Sequence, residues 1–133
     1  MSGWTQVGLD IDGGQRGSVA ISNDGTIIAI GNHGVQYGTV SVYEWNGTSW
    51  TAKGIPITGN ETLDNFGQSV SLSSDGTILA IGAVNTATGQ KADYVKIYEW
   101  NGSSWIQKGS TLSSDGDDDD HFGFSVSLSS EES

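Results

Sequence analysis

The chain has 133 residues, 20 of them glycine, one proline and no cysteine, with a formal charge of −11. That length caps it at one small domain, and the missing cysteines exclude disulfides and thiolate metal sites. With 16 acidic against 5 basic residues, it lacks the phosphate-neutralising cations on which nucleic-acid and anionic-lipid binding depend, so neither partner is expected.

In chain order, Trp4-Thr5-Gln6-Val7-Gly8 comes first, followed by the acidic Asp10-Ile11-Asp12-Gly13. Residues 19–22 alternate large and small side chains and run into Asn23-Asp24-Gly25, a hairpin signal. Residues 26–30 are an almost continuous apolar run, the pattern of a strand covered on both faces. His33 follows in a glycine-flanked loop, where exposure is expected. A third strand carries Val40-Ser41-Val42-Tyr43-Glu44-Trp45 into Asn46-Gly47, a dipeptide suited to the positive φ of a type I′ turn, and residues 48–53 return as a fourth. A two-residue loop there would pair Trp45 with Thr48 and Tyr43 with Trp50, leaving Tyr43, Trp45 and Trp50 on one sheet face.

The same plan then repeats. Ser18-Val19-Ala20-Ile21-Ser22-Asn23-Asp24-Gly25 returns 51 residues later from Ser69, and Tyr43-Glu44-Trp45-Asn46-Gly47 returns 55 residues later as Tyr98-Glu99-Trp100-Asn101-Gly102, with Trp105 in the place of Trp50. Ser125-Val126-Ser127-Leu128 begins a third copy. The ending Trp-x-x-x-Gly closes both full repeats and also forms residues 4–8. Four short strands per unit of about 40–55 residues is the pattern of β-propeller blades. A β-solenoid is the competing architecture, but its coils are shorter and lack two tight hairpins each.

The expected fold is therefore all-β, with two complete four-stranded antiparallel blades and flanking orphan strands. Residues 1–16 form an outer strand and acidic loop, 17–54 blade 1, 55–65 an inter-blade loop, 66–109 blade 2, 110–121 a second acidic loop, and 122–133 the first strand of an incomplete third blade. A propeller closes with 4–8 blades, and repeats that cannot bury their faces alone need neighbours. Completion by homo-oligomerisation through blade continuation is expected, with Trp4, Val7, Val126 and Leu128 on the unpaired assembly edges.

Phe66-Gly67-Gln68-Ser69-Val70-Ser71-Leu72-Ser73-Ser74-Asp75-Gly76-Thr77, running on to Ala80-Ile81-Gly82 and a later Val-Lys-Ile-Tyr strand, resembles the FG-GAP repeats of integrin-α-like propellers; His121-Phe122-Gly123 begins another match. Residues 17–54 follow the same plan with Gln15-Arg16 in place of Phe-Gly. The resemblance implies an extracellular or surface-exposed setting and adhesion or protein binding in place of catalysis. The chain itself shows no signal peptide at Met1-Ser2-Gly3-Trp4 and no apolar run of the about 18 residues needed for membrane insertion. The family's calcium loop is not carried over, because Asn23-Asp24-Gly25 and Ser74-Asp75-Gly76 are too short to wrap a cation that takes six to eight oxygens.

Of the chemical constellations, Asp115, Asp117 and Asp119 in the loop ending at His121 have the alternate spacing that can aim carboxylates at calcium, but they lack the glycine and the distal glutamate of an EF-hand loop. A solvated acidic loop is the plainer account of them. Tyr43, Trp45, Trp50, Tyr98, Trp100 and Trp105 are candidate ligand-binding residues, either packed between blades or exposed to stack on a glycan or partner protein. No nucleophile, base and orienting group form a recognisable motif, so no enzymatic activity is expected. A non-enzymatic self-assembling or adhesive module is the leading reading; a lectin-like module, with or without calcium, and a fragment of a propeller enzyme are the alternatives.

Overall fold

A computed structural model describes residues 4–11, 17–33, 37–59, 65–84, 93–113 and 127–128. All regular structure among them is β. The first sheet contains β1 (Gly17–Ile21), β2 (Ile27–Asn32), β3 (Thr39–Trp45), β4 (Trp50–Ala52) and β5 (Ile57–Thr58). The second contains β6 (Ser69–Leu72), β7 (Ile78–Ala83), β8 (Tyr94–Trp100), β9 (Trp105–Gln107) and β10 (Leu112–Ser113). Every pairing is antiparallel. β4 and β5 both pair with β3, and β9 and β10 both pair with β8, so each pair is one outer strand interrupted by a bulge. The result is two four-stranded antiparallel sheets of propeller-blade type, related by the sequence repeat.

The A-to-B turns form because an aspartate satisfies the loop's own donors. The Asp24 carboxylate accepts from Thr26 N at 3.0 Å, Thr26 Oγ1 at 2.7 Å and Ser22 Oγ at 3.0 Å, and Gly25 takes the positive φ. Asp75 repeats the arrangement with Thr77 and Ser73. The Thr26 hydroxyl and amide, with Ser22, hold the Asp24 carboxyl below the usual carboxylate value of 3.8. Its contribution to stability is therefore full above that value and is lost as pH falls through the depressed native one. Asp24→Ala is expected to lower Tm at neutral pH, and the gap from the parent should narrow in acid; a gap constant with pH would show that the carboxylate charge is not what holds the turn.

The hairpin carrying the tryptophans departs from expectation. Asn46 keeps an ordinary φ and only Gly47, at 104°, is positive, so a type I′ turn does not form. Asn46 instead folds its side chain over the loop, its Oδ1 accepting from Thr48 N and Ser49 N at 2.9 Å each. The loop is two residues longer than expected, and the register becomes Trp45 opposite Trp50 and Tyr43 opposite Ala52, in place of Trp45 with Thr48 and Tyr43 with Trp50. Asn101 does the same in blade 2, placing Trp100 opposite Trp105.

The core lies between the sheets. Blade 1 presents Ile27, Ala29, Val40 and Val42 from one face, and blade 2 answers with Val70, Leu72, Leu79, Ile81 and Tyr94, all in one buried cluster with Phe66. Side chains alternate between faces, and among the described residues no sheet lies against the other face of blade 1. Accordingly β2 alternates between buried and half-buried positions, whereas β7 is buried from Leu79 onward. The apolar run of residues 26–30 is thus covered fully on one face only. Between the blades the backbones come very close: Ser18 Oγ donates to Gly67 O at 2.8 Å, Asn23 N donates to Ser74 O at 2.7 Å, and a Cβ built on Gly31 would run into the Gly67 carbonyl.

Candidate functional site

The candidate aromatic residues build a joint that occurs twice. Trp45 and Trp50 face each other across the hairpin with ring centroids 5.4 Å apart and planes inclined at 58°, and Trp100 and Trp105 reproduce the same geometry. Tyr43 and Tyr98 lie two residues before the first tryptophan of each pair and share its face. Burial raises the Tyr98 phenol above its usual value of 10.0.

Each tryptophan pair grips a positive-φ glycine of the segment that precedes its blade. Gly54, with φ 80°, lies so close to Trp100 and Trp105 that an added Cβ would sit 3.0 Å from both, and Trp105 Nε1 donates to the Lys53 carbonyl at 3.0 Å. Gly8, with φ 75°, meets Trp45 and Trp50 in the same way, and Trp50 Nε1 donates to the Val7 carbonyl at 3.1 Å. Glycine is required because the bulge turns through positive φ and because the indole rings occupy the space of a side chain.

The two joints differ in charge at the residue before the glycine. In the joint between the blades, Lys53 Nζ stands 4.4 Å from the centre of the Trp100 ring and 3.4 Å from Glu44 Oε1, and its side chain is only 10% exposed. A cation over an indole face is attracted by the ring quadrupole, and more strongly when desolvated. The matching residue in the first joint is Val7, which carries no charge. The third such glycine, Gly109 with φ 78°, has no atom of the described residues within 4 Å of an added Cβ, and its neighbour Lys108 pairs with Glu99 at 3.5 Å while remaining 57% exposed.

Of the expected assembly edges, Trp4 and Val7 are exposed, and Leu128 is half-buried with its amide donating to Ser71 Oγ at 3.0 Å. Val126 and the acidic residues Asp115, Asp117 and Asp119 lie outside the described residues. His33, expected to be exposed, is half-buried, with its Nδ1 enclosed and without a hydrogen-bond partner among the described residues. The six aromatic residues separate into two sets of three, one per joint, and the tryptophans are half-buried in both. A cleft of about 580 Å³ lies beside the first set, lined by Asp10, Tyr43, Thr48, Ser49 and Trp50 among others.

Lys53 and Gly54 were not among the candidate residues. Their signal was present as Lys-Gly at the end of both full repeats, Lys53-Gly54 and Lys108-Gly109, but nothing in the spacing shows that the repeat's end rests on the next repeat's hairpin. In comparisons with known proteins, the chain matches no family model and no curated protein.

Proposed function

We propose that the chain is a non-enzymatic propeller-type repeat module that acts through its surface, its copies joining by continuing one another's blade array. One observation carries this. Val70 and Leu72 of β6 are each 8% exposed, whereas their repeat equivalents in β1, Val19 and Ile21, are 68% and 57% exposed. Aliphatic residues at the same blade position are thus buried against a neighbouring sheet in one case and left wet in the other. Burial of one such side chain stabilises by roughly 1.5–3 kcal/mol, so a sheet seated on β1 and β2 recovers several kcal/mol.

The chain also contains the surface such a seat needs. Blade 1 covers β6 and β7 with Ile27, Ala29, Val40 and Val42, and the repeat places Ile78, Ala80, Val95 and Ile97 at the equivalent positions of blade 2. Ala80 and Val95 of that face are only 2% and 8% exposed in the single chain, and beside Ala80 the Ser71 Oγ accepts from Leu128 N, so a second copy presents it to blade 1 by displacing residues 127–128. The interface is heterologous, so it generates rings if the rotation closes and filaments if it does not. Static light scattering on the native protein is expected to give a multiple of 13.9 kDa; a well-folded monomer at all concentrations would refute the reading.

The resemblance to FG-GAP repeats supports an adhesive or protein-binding role for such an array. A second reading rests on the cleft beside Trp50, where Tyr43 and Trp50 offer aromatic faces and Asp10, Thr48 and Ser49 offer hydrogen-bonding groups, the chemistry that suits a glycan. A glycan array probed with the wild type and with Tyr43→Ala tests it, and an absence of hits rejects it.

A further inference from the structure

We infer that the seat on Trp45 and Trp50 is built for residues 105–109 of a second copy, and that residues 4–8 hold it only until that exchange. This rests on the proposal that copies join by blade continuation and names the contact by which they do so.

Three segments of the chain share one design: Trp4-Thr5-Gln6-Val7-Gly8, Trp50-Thr51-Ala52-Lys53-Gly54 and Trp105-Ile106-Gln107-Lys108-Gly109. The second is seated on the Trp100–Trp105 pair, and its Lys53 covers the Trp100 ring. The first is seated on Trp45 and Trp50, but it brings Val7 where a lysine belongs. The third has the lysine and the positive-φ glycine and rests on no tryptophan pair; among the described residues the space beside Gly109 is open. One seat is thus filled by a segment lacking the cation, while the segment that has the cation lacks a seat.

The way each segment is held points the same way. Residues 50–52 and 105–107 are strands paired with β3 and β8, so the bulge that follows each is delivered by a rigid sheet. Residues 4–11 belong to no strand, and Trp4, Val7 and Leu9 are 102%, 56% and 88% exposed. A segment held by so little gives way to one that brings the same indole hydrogen bond, a cation over the ring and a whole sheet face behind it. The Lys108–Glu99 pair already matches Lys53–Glu44 in separation, 3.5 against 3.4 Å, so the cation needs no rearrangement of its own blade.

The test is the association constant of the full-length protein, measured by sedimentation across a concentration series, for four variants. Lys108→Met removes the cation from the incoming segment and is expected to weaken association about five-fold, with Lys108→Arg restoring it. Val7→Lys gives the resident segment the cation and is expected to weaken association as well. Deletion of residues 1–8 removes the competitor and is expected to tighten it. Lys108 is exposed and Val7 lies outside the core, so circular dichroism of these variants should match the parent. If association persists but is indifferent to Lys108→Met and Val7→Lys, or is abolished by the deletion, the exchange is wrong while blade continuation stands. If the parent and every variant are monomeric throughout, blade continuation itself fails.

Discussion

Gly31→Ala is expected to destabilise the chain by about 3 kcal/mol, the upper part of the range for overpacking a close-packed site. The added methyl points at the Gly67 carbonyl and its carbon, which are backbone atoms of the neighbouring blade. They are fixed by the Ser18 Oγ bond to Gly67 O and by the Gly67 N bond to Gly82 O. Gly67 cannot yield without also moving Phe66, which is fully buried in the shared core. The two sheets must part, and that opens the core between them. Gly31 has no positive φ, so the cost is steric alone. Gly47→Ala is the converse control: φ is 104° but no atom of the described residues stands within 4 Å, so only backbone strain of about 1–2 kcal/mol is expected. Urea unfolding of both variants checks the ordering, and a Gly31→Ala loss no larger than that of Gly47→Ala would mean that the blades are not locked at this contact.

The comparison of those two glycines shows what was legible in the sequence and what was not. The repeat made the strands visible, because Val19, Ile28, Val42 and their counterparts recur at fixed offsets with the alternation of a pleated sheet. Fold class and strand order follow from local pattern in this way. Register did not, because it hinged on Asn46. Asparagine before glycine suits a two-residue turn through its own positive φ, yet its side-chain oxygen can instead accept two loop amides, and the latter occurs. That one choice placed Trp45 against Trp50 and formed the pair.

The joint was less legible still. Gly54 meets Trp100 across 46 positions of sequence, and no periodicity within a repeat reveals that a repeat's last glycine belongs to the next repeat's hairpin. The exposure of Val19 and Ile21 was equally hidden, since they are aliphatic like Val70 and Leu72 and are set apart by what stands opposite. A repeated sequence describes the unit well; the interface between units has to be seen once before its copies can be recognised.

Trp105→Ala should separate the two joints from each other, because Trp50→Ala removes the same atoms from the equivalent hairpin of blade 1. In the joint between blades, Trp105 packs against the buried cluster, donates to the Lys53 carbonyl and backs the Trp100 ring that carries the Lys53 cation. Its loss leaves a cavity beside the core, unpairs a carbonyl and loosens the cation. Truncation of a fully buried tryptophan costs about 3–5 kcal/mol, and for a half-buried one at this junction a loss of about 3 kcal/mol is expected. Trp50 makes the equivalent hydrogen bond to Val7, but the segment it holds is exposed and has no sheet behind it. Truncating it should cost about 1 kcal/mol in the isolated chain, close to the net worth of one hydrogen bond. Thermal unfolding in dilute solution resolves that difference, with Trp105→Phe separating ring packing from the indole donor. Equal losses would mean that residues 4–8 are held as firmly as blade 1 holds blade 2. The order should narrow once copies associate, because in the array both tryptophan pairs grip a strand end backed by a full sheet. A Trp50→Ala defect that grows with protein concentration therefore marks the first joint as the one made between chains.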